Sequence, residues 1–234
     1  MQQLLQQLTL SLSIADEATF ANFYAANNSE LITQLQKAAR AWGNNVIYLS
    51  NPRHEGASHL LQASCYYAYE HGLKSVYLPL KRLHNFSPDI LHGLEAVDLV
   101  CIDDLHVIAK KPIWEEALFH LYNRLIATQS YLIVSAIDSP RSLGLSLADL
   151  ESRLLGGIVY NLHALTDDDK LAILTLRAEK RGIHLPEEVG KYILNHCPRQ
   201  LNALLNLLNQ LDQASLAAQR KLTIPFVKNV IENF

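Results

Sequence analysis

Apolar residues in the first two thirds of the chain fall into short, nearly continuous runs, and stretches with helical periodicity separate these runs. The runs predict strands over residues 46–49, 75–80, 99–102, 131–137 and 158–162. The periodic stretches predict helices over residues 30–42, 58–71, 88–94, 112–129 and 147–154. Nearly continuous apolar strands that alternate with helices are typical of a parallel sheet covered on both faces.

The strand pattern stops after Leu165, and only helical patterns follow it. Thr166 precedes three consecutive acidic residues, which is typical of a helix start because negative side chains favour the positive end of the helix dipole. Helices are predicted over residues 167–181, 186–196, 199–218 and 225–233. We therefore expect three parts, which are a flexible N-terminal segment over 1–19, an α/β core domain over 20–162 and a small all-helical domain over 163–234.

The composition fits this division and excludes several classes of protein. The 234 residues are 49% hydrophobic, which is enough for one α/β domain and a smaller companion. A net charge of −3 gives no basic footprint, so direct sequence-specific DNA binding is not expected. The start of the chain lacks the Lys or Arg of a signal peptide, and no apolar run approaches the ~20 residues of a membrane span. With three cysteines in apolar or helical contexts, the chain is expected to be cytoplasmic, with reduced thiols and no membrane segment.

Residues 51–58, N-P-R-H-E-G-A-S, follow the first predicted strand and open the next helix. This is the setting of the phosphate-binding loop G-x-x-x-x-G-K-[ST]. Gly56 and Ser58 occupy the positions of the second glycine and the hydroxyl, whereas Asn51 replaces the first glycine and Ala57 replaces the lysine. Because that lysine meets the β- and γ-phosphates as a point charge, efficient nucleotide hydrolysis by this chain is not expected.

Two carboxylates, Asp103 and Asp104, end the third predicted strand. An acid at this edge of a parallel sheet typically holds the hydration shell of Mg²⁺ opposite the phosphates. The alternative is a buried strand followed by solvated acids. Ser135, near the end of the fourth strand, is also polar, but a serine at a strand end is by itself unremarkable. The ten histidines show no metal-ligand spacing, so no metal site is predicted.

Several motifs resemble those of the AAA+ superfamily, and within it the DnaA-related branch. They are G-A-S-H-L-L at 56–61, T-F-A-N-F at 19–23, D-L-E-S-R-L at 149–154 and P-R-Q-L at 198–201. The segment Q-R-K-L-T-I-P-F-V-K at 219–228 resembles the end of the Hda family of DnaA regulatory inactivators. The resemblance covers nearly the whole chain. It implies an AAA+ module, in which a parallel-sheet αβα domain of the nucleotide-binding type precedes a small all-helical lid domain.

The resemblance also assigns roles to single residues. It makes Arg153 an arginine finger that acts in trans on ATP bound to DnaA, whereas the alternative is a solvated cation at a helix C-terminus. Arg199 starts the sensor-2 helix, where it either faces this chain's own nucleotide or only begins the helix. The implied cofactor is ADP, and the changes at Asn51, His54 and Ala57 weaken that implication. The implied nucleotide-binding residues are Gly56, Ser58, Asp103, Ser135 and Arg199.

The N-terminal segment carries Q-L-T-L-S, which resembles the peptide by which Hda proteins dock on the β sliding clamp. Two leucines on an extended segment can enter apolar pockets, while a glutamine side chain both donates and accepts hydrogen bonds. The alternative is a poorly ordered terminus or a packed strand. The motif residues are Gln7, Leu8, Thr9, Leu10 and Ser11.

The function that the resemblance implies is negative regulation of DNA replication initiation. Together with the DNA-loaded clamp, such a protein stimulates hydrolysis of DnaA-bound ATP, and it is an activator in trans rather than an enzyme. The implied partners are the β sliding clamp and DnaA, and a homodimer is compatible with the family. Two alternatives remain open, an intrinsic AAA+ ATPase and a loader-like adaptor at the replication fork.

Overall fold

The computed structural model describes residues 18–43, 45–52 and 56–232. The chain divides into two compact units between His163 and Ala164. A five-stranded sheet forms the centre of the first unit, and its strands are β1 (Val46–Ser50), β2 (Ser75–Pro79), β3 (Leu99–Asp103), β4 (Tyr131–Ala136) and β5 (Ile158–Asn161). The strand order is β2-β3-β4-β1-β5, and every neighbouring pair is parallel. The predicted parallel sheet is confirmed.

Helices cover both faces of this sheet because the central strands are apolar on both sides. Along β1, Val46 and Tyr48 contribute to one buried cluster, and Ile47 and Leu49 contribute to the other. This alternation follows from the two-residue period of a strand. The helices of the unit are α1 (Ser29–Ala38), α2 (Ala57–Glu70), α3 (Leu80–Leu83), α4 (Pro112–Ala127) and α5 (Ala148–Leu155). Residues of α1 and α2 pack in the second cluster, and residues of α4 and α5 pack in the first.

The structure differs from the predicted elements in several places, and the strand predicted over 75–80 ends at Pro79, where the unpredicted helix α3 follows. Instead of one helix over 88–94, two 3₁₀ turns form at Pro88–Leu91 and Leu94–Ala96, and Gly93 separates them with a φ of +80°. The fifth strand is not buried on both faces as a continuous apolar run would be, since Val159 is 36% exposed. The reason is its place at the edge of the sheet, where β5 pairs only with β1.

The second unit is helical and contains α6 (Asp167–Lys180), α7 (Glu187–His196), α8 (Leu201–Ala218) and α9 (Ile224–Glu232). Helix α6 begins with a capping box, because the Thr166 hydroxyl accepts the backbone N–H of Asp169 at 3.1 Å and the Asp169 carboxylate accepts the N–H of Thr166 at 2.8 Å. The core of the unit includes Leu204, Leu208 and Leu211 of α8. None of the helices in the described part of the chain has the length and apolar character needed to cross a bilayer.

Two tyrosines in the first unit make the stability of the fold sensitive to high pH. The Tyr48 hydroxyl donates to the carbonyl oxygen of Asp138 at 2.6 Å, and the Tyr77 hydroxyl donates to Asp103 Oδ2 at 2.6 Å. Burial first, and the neighbouring aspartate second, raise the pKa of both tyrosines above their ordinary value. Below pH ~10 the folded and unfolded chains both keep these protons, so the tyrosines contribute no pH dependence. At higher pH only the unfolded chain releases them, and the free energy of unfolding falls.

We therefore expect Tyr77→Phe to reduce the loss of stability at alkaline pH. Above pH ~10, its free energy of unfolding should fall less steeply than that of the unsubstituted chain, by about 1.4 kcal/mol per pH unit. Urea denaturation followed by circular dichroism between pH 9 and 11 (approximately the range around the ordinary tyrosine pKa) measures both slopes. Tyr69→Phe is the control, because Tyr69 is 77% exposed and should leave the slope unchanged. Equal slopes for Tyr77→Phe and the unsubstituted chain would contradict the expectation.

Candidate functional site

The loop after β1 leads into the edge of the sheet where the candidate site lies. Asn51 is buried, and its backbone N–H donates to the carbonyl of Ala136 at 2.7 Å, which joins the start of the loop to the end of β4. Residues 53–55, which include His54, lie outside the described residues. The chain is described again from Gly56, and α2 begins at Ala57, whose methyl group is 3% exposed. The position of the phosphate-loop lysine is therefore occupied by a buried methyl group.

Gly56 is required at its position for two physical reasons. Its φ of +86° lies in the left-handed region, and an added Cβ would lie 2.9 Å from Cε2 of Phe23. Phe23 belongs to the T-F-A-N-F segment, and its ring also packs against His59 of α2 with a centroid distance of 5.5 Å. A His59 ring nitrogen lies 2.9 Å from the carbonyl oxygen of Thr19 in the same segment. The segment before α1 thus packs directly against the start of the phosphate-loop helix.

Asp103 and Ser135 are brought together by the register of the sheet. Ile102 of β3 pairs with Val134 of β4, so Asp103 and Ser135, one residue further on each strand, lie side by side. Both are 2% exposed, and the Ser135 hydroxyl donates to Asp103 Oδ1. The backbone N–H of Asp104 also donates to Asp103 Oδ1, at 3.1 Å. Strand β3 thus extends one residue beyond the predicted range and includes Asp103. Oδ1 of this buried carboxylate accepts two hydrogen bonds.

Tyr77 completes this cluster and was not predicted from the sequence. Its hydroxyl donates to Asp103 Oδ2, so both carboxylate oxygens accept hydrogen bonds. Burial and the Asp103 charge raise the pKa of Tyr77, while hydrogen bonds with Gln62 and Ser58 act in the opposite direction. The protonated hydroxyl thus connects the acid of β3 with two residues of α2. The tyrosine hydroxyl within the second strand was the available sequence signal, but Tyr48, Tyr131 and Tyr160 carry the same group in other strands.

Asp103, Ser135 and Ser58 line a cavity of about 40 Å³, which has room for a few water molecules. Its lining residues are Asn51, Ala57, Ser58, Asp103, Asp104, Ser135, Ala136 and Ile137. Ser58, Asp103 and Ser135 of the predicted nucleotide set therefore meet in one place, and Gly56 lies just before α2. The lining described here contains two carboxylates and neither lysine nor arginine. The described lining retains the acid and the hydroxyls of a nucleotide site, and Ala57 at the start of α2 offers no cation to the phosphates of ADP.

Arg199 lies in the second unit, just before α8. Its Nη1 is 3.0 Å from Oδ2 of Asp167, and the two side chains are 61% and 52% exposed. The carbonyl oxygen of Arg199 accepts a hydrogen bond from Nζ of the buried Lys170 at 2.9 Å. Side chain and backbone of Arg199 are thus both tied to the first turn of α6. An ion pair this exposed contributes little to stability, so the Arg199 side chain can exchange partners at low cost.

Arg153 lies on α5 and is exposed. Leu150 and Leu154 of this helix are buried in the core. The guanidinium carbon of Arg153 is 5.9 Å from the centroid of the Tyr122 ring of α4, which is within the range of a cation–π contact. The ring supports the cation from one side, and the exposed guanidinium can still approach an anionic group outside the chain.

The remaining predicted positions lie elsewhere. Gln7–Ser11 fall outside the described residues, so the clamp motif stays a prediction. Within the described ranges, no group of three or more His, Cys, Asp or Glu residues could hold a metal ion.

The sequence matches two protein families along most of its length. Residues 14–161 match the bacterial DnaA ATPase domain, and residues 167–231 match the Hda lid domain. The chain belongs to the DnaA-related family of AAA+ proteins. Its second unit is therefore a lid of the Hda type, and the resemblance inferred from the motifs is confirmed.

Solved structures of AAA+ proteins show the same fold as this DnaA-related chain. Domain III of the Thermotoga maritima replication initiation protein DnaA is similar with a TM-score of 0.79 and 19% identity, over 94% of this chain and 97% of that one. AMPPCP-bound DnaA from Aquifex aeolicus gives a TM-score of 0.70 and 20% identity, over 86% of this chain and 67% of that one. The Thermotoga maritima RuvB Holliday junction branch migration motor gives 0.67 and 17%, over 89% and 69%. At these identities the likeness establishes the fold alone, and it confirms the predicted AAA+ module.

The missing cation generates a prediction for nucleotide binding by this DnaA-related protein. We expect weak binding of ADP, and we expect Ala57→Lys to tighten it by at least ~10-fold, because one hydrogen bond to a charged group contributes about 1.5–3 kcal/mol. Isothermal titration with ADP measures both affinities. Tyr69→Lys is the matched control, since it adds the same charge to α2 at a side chain that is 77% exposed. ADP retained by the purified, unsubstituted chain would contradict the expectation.

Proposed function

We propose that this DnaA-related protein is a negative regulator of replication initiation, which stimulates hydrolysis of DnaA-bound ATP together with the DNA-loaded β sliding clamp. The observation that carries the proposal is Arg153, an exposed guanidinium supported by the Tyr122 ring on a short, well-packed helix. An arginine presented in this way suits insertion into the nucleotide site of another protein. The match to the Hda lid and the DnaA ATPase domain supports DnaA as that protein.

The chemistry asked of Arg153 is electrostatic. In phosphoryl transfer, charge spreads over the oxygens of the γ-phosphoryl group as the bond to the leaving oxygen lengthens, and an arginine placed there stabilises that charge. A guanidinium stays protonated at any physiological pH and offers several N–H donors in a rigid plane, so it supplies this charge without a proton-transfer step. The attacking water and the remaining groups of the site belong to DnaA in this proposal. This chain supplies one cation and the surface that carries it.

The chain's own cavity supports an activator rather than an ATPase. Ala57 supplies no charge to a phosphate, and both oxygens of Asp103 accept hydrogen bonds from Tyr77 and Ser135. An intrinsic ATPase would need a cation near this cavity and an acid available to the hydration shell of Mg²⁺. A loader-like adaptor at the replication fork would need neither, but its action would not depend on Arg153. The effect of Arg153→Ala on DnaA-bound ATP, together with the rate of ATP hydrolysis without DnaA, therefore separates the proposal from both alternatives.

Arg153→Ala should abolish the stimulation. We expect the rate of DnaA-bound ATP hydrolysis, with DNA-loaded clamp and saturating chain, to fall by about 10³-fold or more, toward the unstimulated rate of DnaA. Single-turnover hydrolysis of labelled ATP preloaded on DnaA measures this rate. Arg141→Ala is the matched control, because Arg141 is also exposed and lies between β4 and α5. Full stimulation by Arg153→Ala, or none by the unsubstituted chain, would reject the proposal, and ATP hydrolysis without DnaA would favour the intrinsic ATPase.

The N-terminal motif is proposed to hold the chain on the clamp, which raises its local concentration near DNA-associated DnaA. Replacing Gln7 and Leu8 together by alanine should weaken clamp binding roughly 30-fold or more, because truncating interface anchors costs about 2 kcal/mol or more. Surface plasmon resonance on immobilised clamp measures the affinity. Gln3→Ala with Leu4→Ala is the matched control, since it removes the same two residue types from the same segment. Equal weakening by both pairs would show that the effect is not specific to the motif.

A further inference from the structure

Glu115 is a buried carboxylate that the chemistry of the cavity does not use. It lies in the first turn of α4 and is 0% exposed. Oε1 accepts the backbone N–H of Lys110 at 2.7 Å, and Oε2 accepts the backbone N–H of Leu147 at 2.8 Å. Leu147 is the residue directly before α5, and no side-chain hydrogen bond of its own caps that helix. One side chain of α4 thus holds both the loop before α4 and the start of the helix that carries Arg153.

A carboxylate is suited to this position for physical reasons. A buried charge is costly unless hydrogen bonds and nearby dipoles compensate it, and here each oxygen accepts a backbone N–H. The positive ends of two helices, α4 and α5, also meet at Glu115. A glutamine of the same shape has only one acceptor oxygen, and its NH₂ group would face the second N–H. The site therefore distinguishes a carboxylate from an amide.

Helix α4 contacts α5 at two points, and Arg153 lies at the second. At the first point, Glu115 of α4 accepts the backbone N–H of Leu147. At the second point, the ring of Tyr122 of α4 contacts the guanidinium of Arg153. Seven residues separate the two points on α4, and six separate them along the chain that leads into α5. At the rise of an α-helix the two intervals are about 10.5 Å and 9 Å, and the two contacts follow each other in the same direction along both helices. Four leucines of the two helices belong to the same buried cluster; they are Leu118, Leu121, Leu150 and Leu154. The position of the guanidinium along α4 is thus set by where α5 begins.

We propose that Glu115 is a positioning residue for Arg153, which fixes the start of α5 and so places the guanidinium for its neighbour's phosphate. The inference rests on the proposed function, because it assigns to Glu115 a role in the reaction that Arg153 serves. A displacement of about 1 Å at a reacting group can cost on the order of 100-fold in rate. Glu115 itself touches no reacting atom.

The test compares Glu115→Gln with Glu116→Gln. Glu116 is the next residue of α4, and its side chain is 71% exposed, so the control makes the same chemical change outside the core. With DNA-loaded clamp, Glu115→Gln should lower the maximal rate of DnaA-bound ATP hydrolysis by on the order of 100-fold. The concentration of chain that gives half of the maximal rate, and its affinity for the clamp, should change less than about 3-fold, since neither depends on the final placement of Arg153. Glu116→Gln should change none of these quantities.

A double-mutant cycle identifies the route of the effect. If Glu115 acts by placing the guanidinium, Glu115→Gln should lower the maximal rate less in a chain that carries Arg153→Lys, provided that chain still stimulates above the rate of DnaA alone, than in the unsubstituted chain. An equal loss in both backgrounds, or a full maximal rate with Glu115→Gln in the folded chain, would overturn the positioning role. Full stimulation by Arg153→Ala alone would instead reject the proposed function, so the two failures are distinguishable.

A second pair of variants applies if Glu115→Gln does not fold. Leu147→Pro deletes the N–H that Oε2 accepts, and Leu147→Ala shortens the same side chain but keeps that N–H. The φ of Leu147 is −93°, within about 30° of the angle that proline prefers. The positioning role predicts a maximal rate at least 10-fold lower for Leu147→Pro than for Leu147→Ala (roughly a tenth of the effect of a 1 Å displacement). Equal maximal rates for the two variants would overturn it.

Discussion

Parallel pairing of the strands is the constraint on which the candidate site depends, because it brings the carboxyl ends of β1, β3 and β4 to one edge of the sheet. Strand order and direction alone bring together the loop after β1, the acid that ends β3 and the serine of β4. The register then sets the finer geometry. Asp103 and Ser135 lie side by side because their strands are in phase, and the two-residue period directs both side chains to the same face.

The same edge also shows how the chain departs from a nucleotide-hydrolysing site. The glycine of the phosphate loop is retained, and the close approach of Phe23 to Gly56 explains why another residue would not fit there. The lysine is replaced by the buried Ala57, and the acid is engaged with Tyr77 and Ser135. Such a cluster of satisfied polar groups is internally stable without a ligand, since each buried acceptor oxygen of Asp103 has a donor. The described part of this edge thus keeps an acid and hydroxyl groups, with a methyl group at the start of α2.

Helix α4 packs on the same face of the sheet as α5, the helix that carries Arg153. It carries Glu115 and Tyr122, which contact the start of α5 and the guanidinium of Arg153. Apolar packing between these points makes α5 a rigid support, although it is a short helix. Short helices gain little stability from their own hydrogen bonds, so tertiary contacts decide where they lie. The described lining of the cavity contains no lysine or arginine, whereas Arg153 presents a cation on the surface of the chain.

The sequence by itself determined the parallel α/β core, the helical lid, the start of α6 at its capping box and the loss of the phosphate lysine, because hydrophobic periodicity, helix caps and local motifs are encoded in neighbouring residues. It also indicated Asp103 and Ser135, since both lie at strand ends.

Only the tertiary structure decided the roles of Tyr77, Glu115 and Tyr122. Tyr77 meets Asp103 because β2 is the neighbour of β3 in a given register, and Glu115 meets Leu147 across 32 residues of chain. The partly exposed β5 follows from its place at the edge of the sheet, whereas Gly93, with a φ of +80°, separates the two turns over 88–96. Contacts between elements that are distant in sequence depend on strand order and helix packing, which no local pattern specifies.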